Sequence, residues 1–132
     1  MEHKKLDISS EEDIKLLVNE FYGKVRKDAL IGPIFDGIIQ DNWPAHLQKM
    51  YRFWGTVLLG YQTYEGHPFK PHAHLPVEQK HFDIWVGLWT STVDQYFQGI
   101  VADEAKWRGD KMATIFLSRI QDYQGTNRIP LV

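Results

Sequence analysis

Histidines are the side chains of this sequence best suited to chemistry, and the 132-residue chain has six of them. His72 and His74 form a His-x-His pair that can bind zinc with a third ligand, which the spacing does not identify. Glu78 and His81 form a single Glu-x-x-His spacing, whereas a di-iron carboxylate bundle needs two such pairs and two further glutamates. We therefore interpret Glu78 and His81 as charged residues on the first turn of a helix. The sequence has no glycine-rich phosphate loop, His-Glu-x-x-His helix or Gly-x-Ser-x-Gly turn.

The second unusual feature is an aromatic content of 14%, from five Trp, six Tyr and seven Phe. These rings either form an aromatic-rich core or line a pocket for a large flat cofactor, and composition leaves both interpretations open. His46 lies one turn before Met50 at the border of an apolar stripe, where a histidine is more often a boundary residue than a ligand or gate. Tyr22 falls within another stripe, where a tyrosine usually packs its ring and lets its hydroxyl reach water.

Length and charge exclude several classes of partner. A chain of 132 residues fits one compact domain. The net charge of −2 and the absence of a basic stripe argue against binding to nucleic acid or an anionic membrane surface. No apolar run approaches the roughly 20 residues that span a bilayer. The first residues lack the apolar segment of a secretory signal, so we expect a cytoplasmic protein.

Apolar residues recur at helical spacing along most of the chain, and no segment alternates with period two, so the sequence predicts an all-α fold. A capping pattern at Ser9-Ser10 and the glycines after the stripes mark the helix ends. Four helices are predicted. The first runs from Ser9-Ser10 to about Lys27, the second from near Asp41 to about Gly60, the third from about Val77 to Gln98, and the fourth from near Asp103 to Gly125. Pro33–Gly37 is predicted to be a short apolar corner, residues 62–76 a loop with at most one short helix, and 126–132 a loose tail.

The order of several short motifs resembles one known family. The matching stretches are residues 21–28, 32–35, 43–46, 53–60, 64–68, 72–76 and 82–85. Together they resemble the truncated haemoglobins, shortened globins built as a two-over-two helical sandwich around haem, and most of all the third subgroup. The resemblance runs from about residue 14 to 125. It implies a single globin domain over residues 1–132, with its core at about 10–125.

The resemblance also assigns residues to the cofactor, position by position. His72 becomes the iron ligand, favoured over His74 because it follows Pro68-Phe69-Lys70-Pro71 and precedes Leu75-Pro76. The distal pocket positions fall on Tyr22, His46 and Trp85. The other haem contacts implied are Phe35, Lys49, Met50, Phe53, Trp54, Phe69 and Phe82, with Lys49 able to pair with a propionate. Because the chain has no cysteine for covalent attachment, the cofactor expected is non-covalent haem b.

The function implied is binding of O₂, NO and CO at a pentacoordinate-type iron with a polar distal pocket. Tyr22 and Trp85 are both neutral donors, and two donors favour slow O₂ release, hence detoxification, storage or sensing rather than transport. His46 can gate ligand entry or act as an acid–base group. NO dioxygenase or peroxidase-like turnover would require an external reductase. The alternative is a non-haem helical module that binds a metal or a partner.

Overall fold

The computed structural model describes residues 4–62 and 77–128, with side chains through Ile120, and its regular structure is helical, as predicted. The helices are α1 (Glu11–Lys27), α2 (Gly32–Ile39), a one-turn 3₁₀ helix (Gln40–Asn42), α3 (Trp43–Leu59), α4 (Gln79–Tyr96) and α5 (Ile100–Arg128). Two helix pairs, α1 with α3 and α4 with α5, pack on each other through α1 and α4. In the described ranges, no helix is both long and apolar enough to cross a membrane.

Helix α1 begins where the sequence predicts, because its capping interactions are local. The Ser10 hydroxyl accepts the Asp13 N–H at 3.2 Å, and the Asp13 carboxylate accepts the Ser10 N–H at 3.2 Å. The predicted apolar stripe is buried, and it comprises Ile14, Leu17, Val18, Phe21, Tyr22 and Val25. This stripe faces three neighbours, since α1 contacts α2, α3 and α4.

The predicted corner at Pro33–Gly37 is wrong, because these residues lie inside helix α2. Proline in a first turn lacks an N–H that would have no helical partner there, so it starts a helix without cost. The Asp28 carboxylate accepts the N–H groups of Leu30 and Ile31 at 2.9 and 3.0 Å, which turns the chain from α1 into α2. At Gly32 a Cβ atom would lie 2.7 Å from the Arg26 carbonyl oxygen, so the two helices approach closely only with glycine there.

Helix α3 confirms the predicted second helix, with Pro44 in its first turn and Gly60 at its end. Gly60 has a φ of 75°, a left-handed conformation that glycine adopts without strain, and it ends the helix there. The preceding Asp41-Asn42, where the helix was predicted to start, belong to the 3₁₀ turn. Helix α4 is shorter at each end than predicted, running from Gln79 to Tyr96.

Helix α5 differs from the prediction at both ends. It begins at Ile100 rather than near Asp103, and it passes through the predicted stop at Gly125 to reach Arg128. The early start has a long-range cause: the Asp7 carboxylate accepts the N–H groups of Val101 and Ala102 at 2.9 and 2.8 Å. A residue 94 positions away in sequence from Val101 therefore serves as the N-terminal cap. The glycine at 125 does not end the helix.

Trp89 lies at the centre of the core and is fully buried. Its indole N–H donates to the Ala105 carbonyl at 2.8 Å, which joins α4 to α5. The Trp54 ring stacks on it with centroids 4.3 Å apart. A Cβ at Gly109 would lie 2.4 Å from the Trp89 ring, so the close packing of α5 on this ring requires glycine. Trp89 is therefore a core residue.

The Asp7 cap generates a prediction about stability and pH. Partial desolvation raises the pKa of Asp7, but hydrogen bonds from the Val101, Ala102 and Ile8 N–H groups outweigh it and leave the pKa below its usual value. Asp7→Ala should lower the free energy of unfolding by about 1 kcal/mol, as expected for loss of a cap. The stabilisation that depends on the charge is complete above about pH 4 and is lost as the pH falls through the lowered folded pKa.

The measurement is urea unfolding of the wild type, Asp7→Ala and Asp7→Asn between pH 3 and 7. The gap between the wild type and Asp7→Asn should narrow on acidification. Asp110→Asn, which removes an exposed charge from the middle of the same helix, serves as the control. A gap that stays constant over the whole pH range would contradict the proposed role of the Asp7 charge.

Candidate functional site

A cavity lies between the helices, and side chains from α1 through α5 line it. Most of its lining is apolar, including Ile34, Ile38 and Ile39 of α2 and Met112, Ala113 and Phe116 of α5. The side chains in its lining that carry N–H or O–H donors are Tyr22, His46, Lys49, His81, Trp54 and Trp85. A pocket of this kind, apolar with a few placed polar groups, is typical of a small-molecule or cofactor site.

All the predicted site residues that the structure describes line this cavity. They are Tyr22, Phe35, His46, Lys49, Met50, Phe53, Trp54, Phe82 and Trp85. They come from four helices and span more than 60 positions of the sequence, so tertiary packing brings them together. The predicted iron ligand His72 and the predicted contact Phe69 lie outside the described residues.

Several lining residues were not predicted as site residues. Met112 and Phe116 are four residues apart on α5, in a stripe that the sequence shows, so their helical spacing was an available signal. The isoleucines of α2 were not predicted, because the sequence indicated a corner rather than a helix at Pro33–Gly37. His81 is in the first turn of α4, as expected, yet it also lines the cavity, so its interpretation as only a charged residue of that turn was incomplete.

Tyr22 lies at the cavity wall, where its ring contacts several neighbouring rings. It is 6% exposed, and its ring makes edge-on contacts with His46, Trp43 and Phe35 at centroid distances of 5.1, 5.8 and 6.1 Å. Burial raises the pKa of the Tyr22 hydroxyl, because the phenolate would be desolvated. Tyr22 therefore remains a neutral hydrogen-bond donor at any physiological pH.

Trp43 forms the support behind Tyr22 and His46. The His46 ring packs edge-on against it with centroids 5.6 Å apart. The Trp43 indole N–H donates to the Asp36 carboxylate at 3.0 Å, and the same oxygen accepts from Arg26 at 3.2 Å. The Arg26 guanidinium also lies 4.5 Å from the centroid of the Trp43 ring. Three side chains from α1, α2 and α3 thus hold one another and fix the wall of the cavity.

Trp85 supplies a second neutral donor from α4. Its ring stacks parallel to Trp89 at 6.1 Å and meets Phe21 edge-on at 5.3 Å. Trp85 and Tyr22 both line the cavity, so it is bordered by two donors that carry no charge, an indole N–H and a phenol O–H. Residues 4–62 and 77–128 hold no cluster of three His, Asp or Glu side chains that could bind a metal ion.

Comparison with known proteins identifies the family. The model of the bacterial-like globin family matches residues 7–117. The chain belongs to the bacterial-like globin family. This globin is 33% identical to a group 3 truncated haemoglobin of Campylobacter jejuni over 125 residues, which cover 92% of this chain and 98% of the relative. It is also 33% identical to the group 1 truncated haemoglobin GlbN of a Nostoc species over 78 residues, 58% of this chain and 64% of the relative.

A solved structure extends the likeness to the fold. The crystal structure of the group III truncated haemoglobin from Campylobacter jejuni superposes on this globin with a TM-score of 0.82 and 32% identity. The match covers 91% of this chain and 98% of that one. The predicted resemblance to the truncated haemoglobins, and to their third subgroup, is confirmed, as is the truncated globin fold.

Globins of this family bind haem, and through haem they bind diatomic gases such as O₂, so membership of the family implies both for this chain. The side chains of the cavity fit such a cofactor chemically. Aromatic and aliphatic walls suit a flat apolar ring, and the few N–H and O–H donors suit its carboxylates and a small polar ligand.

The support behind the pocket can be tested by removing its carboxylate. Asp36→Ala leaves the N–H of Trp43, which is 6% exposed, and the Arg26 guanidinium without their common acceptor. We expect a loss of about 1–2 kcal/mol in the free energy of unfolding, because an unsatisfied buried donor is costly. Glu104→Ala, which breaks the exposed pair of Glu104 with Arg108, should cost less than about 0.5 kcal/mol. Equal losses in the two variants, measured by urea unfolding, would show that Asp36 contributes no more than a surface ion pair.

Proposed function

We propose that this globin binds haem b non-covalently, with His72 as the iron ligand, and holds O₂, NO or CO beside Tyr22, His46 and Trp85. The observation that supports this best is that three polar side chains from α1, α3 and α4 converge on one apolar cavity. We propose a role in ligand detoxification, storage or sensing rather than in bulk O₂ transport.

The walls of the cavity are suited to retain the cofactor. We propose contacts to the haem from Phe35, Met50, Phe53, Trp54, Phe69 and Phe82, and an ion pair from Lys49 to a propionate. When bound, haem supplies an iron with one open coordination position for a diatomic ligand. Of these six side chains, the five that the structure describes line the cavity together, and all are aromatic or aliphatic. Such walls exclude bulk water from the cofactor.

Tyr22 and Trp85 determine how long a polar ligand stays. Both donate a hydrogen bond without carrying a charge, so neither needs a counter-ion in the apolar cavity. A hydrogen bond to a charged acceptor contributes about 1.5–3 kcal/mol, which corresponds to roughly one to two decades in a dissociation rate. Two such donors retain O₂ too long for a carrier that must unload, which is why we favour reaction, storage or sensing.

We assign control of ligand entry to His46. Its side chain is half-buried and its ring packs on Tyr22 and Trp43, and Lys49, three residues further along α3, is exposed. We propose that His46 rotates toward solvent to admit the ligand and returns to close the pocket. Turnover of NO to nitrate or of peroxide consumes electrons, which an external reductase would supply.

The assignment of the iron ligand is tested by His72→Ala. We expect the purified wild type to take up hemin and to show a Soret band, while His72→Ala loses normal haem retention because the axial bond is gone. His74→Ala, two positions away, is the matched control and should keep the wild-type spectrum. An unaltered spectrum in His72→Ala would make the axial assignment wrong. A wild type that takes up no hemin would overturn the proposed function and favour a non-haem helical module.

The donors are tested by Tyr22→Phe and Trp85→Phe. Each should raise the O₂ dissociation rate about tenfold or more, because one hydrogen bond to the ligand is lost, and CO dissociation should change less. Stopped-flow ligand replacement measures both rates. Tyr51→Phe is the control, since the Tyr51 hydroxyl bonds to Asn19 away from the cavity. An unchanged O₂ rate in Tyr22→Phe would remove Tyr22 from the ligand's surroundings.

A further inference from the structure

His81 has two roles in the structure, and only one of them was expected from its position in the first turn of α4. Its Nδ1 atom accepts the backbone N–H of Glu78 at 2.8 Å, which caps the helix. The same side chain is half-buried and lines the cavity, together with the neighbouring Val77, Phe82 and Trp85. The ring is therefore held by one nitrogen while it borders the cofactor cavity.

The hydrogen bond to Glu78 fixes the tautomer of the ring. Because Nδ1 accepts a hydrogen bond, it carries no proton, and the proton of the neutral ring must lie on Nε2. A protonated Nε2 donates a hydrogen bond and has no lone pair for a metal. If Nε2 bound iron, the proton of the neutral ring would lie on Nδ1. Two donors, Nδ1–H and the Glu78 N–H, would then point at each other and the hydrogen bond would be lost. His81 is thus built as a hydrogen-bond donor and not as an iron ligand.

A haem offers two carboxylates that need such donors. Most of the lining around His81 is apolar, and a carboxylate placed against Val77 or Phe82 without a partner would be costly. On α3, the exposed Lys49 lines the same cavity and is already proposed for one propionate. Tyr22 and Trp85 are assigned to the diatomic ligand. His81 is the donor on α4 that remains for a carboxylate among the described lining residues.

We propose that His81 binds a haem propionate through its Nε2–H, an inference that rests on the proposed haem binding. The contact joins the cofactor to the first turn of α4, so that the helix cap and the cofactor hold the ring from its two nitrogens. His81 is then a residue that binds a carboxylate group of the cofactor. Loss of the donor should speed haem loss without changing the axial coordination.

A matched pair of variants separates this role from helix capping. Glutamate and glutamine are both favoured at this position of a capping box, because an oxygen of either side chain can accept the N–H of residue 78. His81→Gln adds an amide N–H₂ that can still donate to a carboxylate. His81→Glu adds a carboxylate that repels one. Thermal unfolding of the two apoproteins should give similar midpoints, which verifies that the cap is retained in both.

The experiment loads wild type, His81→Gln and His81→Glu with hemin and with hemin dimethyl ester, whose propionates carry no charge. Transfer of haem to excess apomyoglobin measures the rate of loss. With hemin we expect His81→Glu to lose haem about tenfold faster than the wild type, and His81→Gln to stay within about threefold of it. With the dimethyl ester the difference between Glu and Gln should largely disappear. The Soret band and the ferric spin state should be the same in all three proteins.

Three outcomes would overturn the inference, and they are distinguishable. Equal retention of hemin by the Glu and Gln variants would mean that His81 does not touch a carboxylate. A difference of the same size with hemin and with its ester would assign the effect to protein structure alone. A changed axial spectrum in both variants would make His81 an iron ligand. Failure of the wild type to take up either hemin would instead overturn the proposed function itself.

Discussion

Hydrogen-bond donors must enter an apolar cavity without bringing charge into it, and this constraint governs the arrangement of the site. Phenol and indole satisfy it, because both donate while neutral, and burial raises the pKa of Tyr22 so that its hydroxyl keeps its proton. The charges that support the pocket stay outside its lining. Arg26 and Asp36 form an ion pair, and both contact Trp43, which packs against Tyr22 and His46. Among the described lining residues, the charged side chain is Lys49, and it is exposed to solvent.

Aromatic rings connect the core of this globin to its site. Trp89 is fully buried between Trp54 and Trp85, and Phe21 meets both Trp85 and Trp89 edge-on. Trp54 and Trp85 in turn line the cavity. Composition left open whether the aromatic excess forms a core or a pocket, and the structure shows that the same stack of rings does both. A ring fixed by core packing presents its polar edge with little freedom to move, which suits a donor that must meet a small ligand.

Long-range hydrogen bonds set the limits of the helices that carry the site. The Asp7 carboxylate begins α5, and a Cβ at Gly99 would lie 2.5 Å from the carbon of that carboxyl group, so the capping segment fits closely. The Trp89 indole then joins α5 to α4, and α5 brings Met112 and Phe116 to the cavity. The position of these two side chains therefore depends on a residue near the start of the chain. In a domain of this size, each helix end that is fixed in this way limits the freedom of the pocket wall.

The sequence alone determined the features that depend on residues within one or two helical turns. The Ser10–Asp13 capping box, the left-handed Gly60 and the apolar stripe of α1 lie where their local patterns predict, since their partners are close in sequence. The ordered motifs also indicated the family, and the resemblance to it predicted nine cavity residues, because family positions keep the identity of residues whose partners are distant in sequence. Only the tertiary structure decided that α5 starts at Ile100, that Pro33–Gly37 is helical, and that His81 borders the cavity while it caps α4. For α2 the cause is partly local, since Asp28 turns the chain into it through Leu30 and Ile31, but a Gly-Pro pattern does not distinguish a corner from a helix start. The start of α5 and the place of His81 beside the cavity depend on groups that helix packing brings together, and such contacts leave no periodic pattern along the chain.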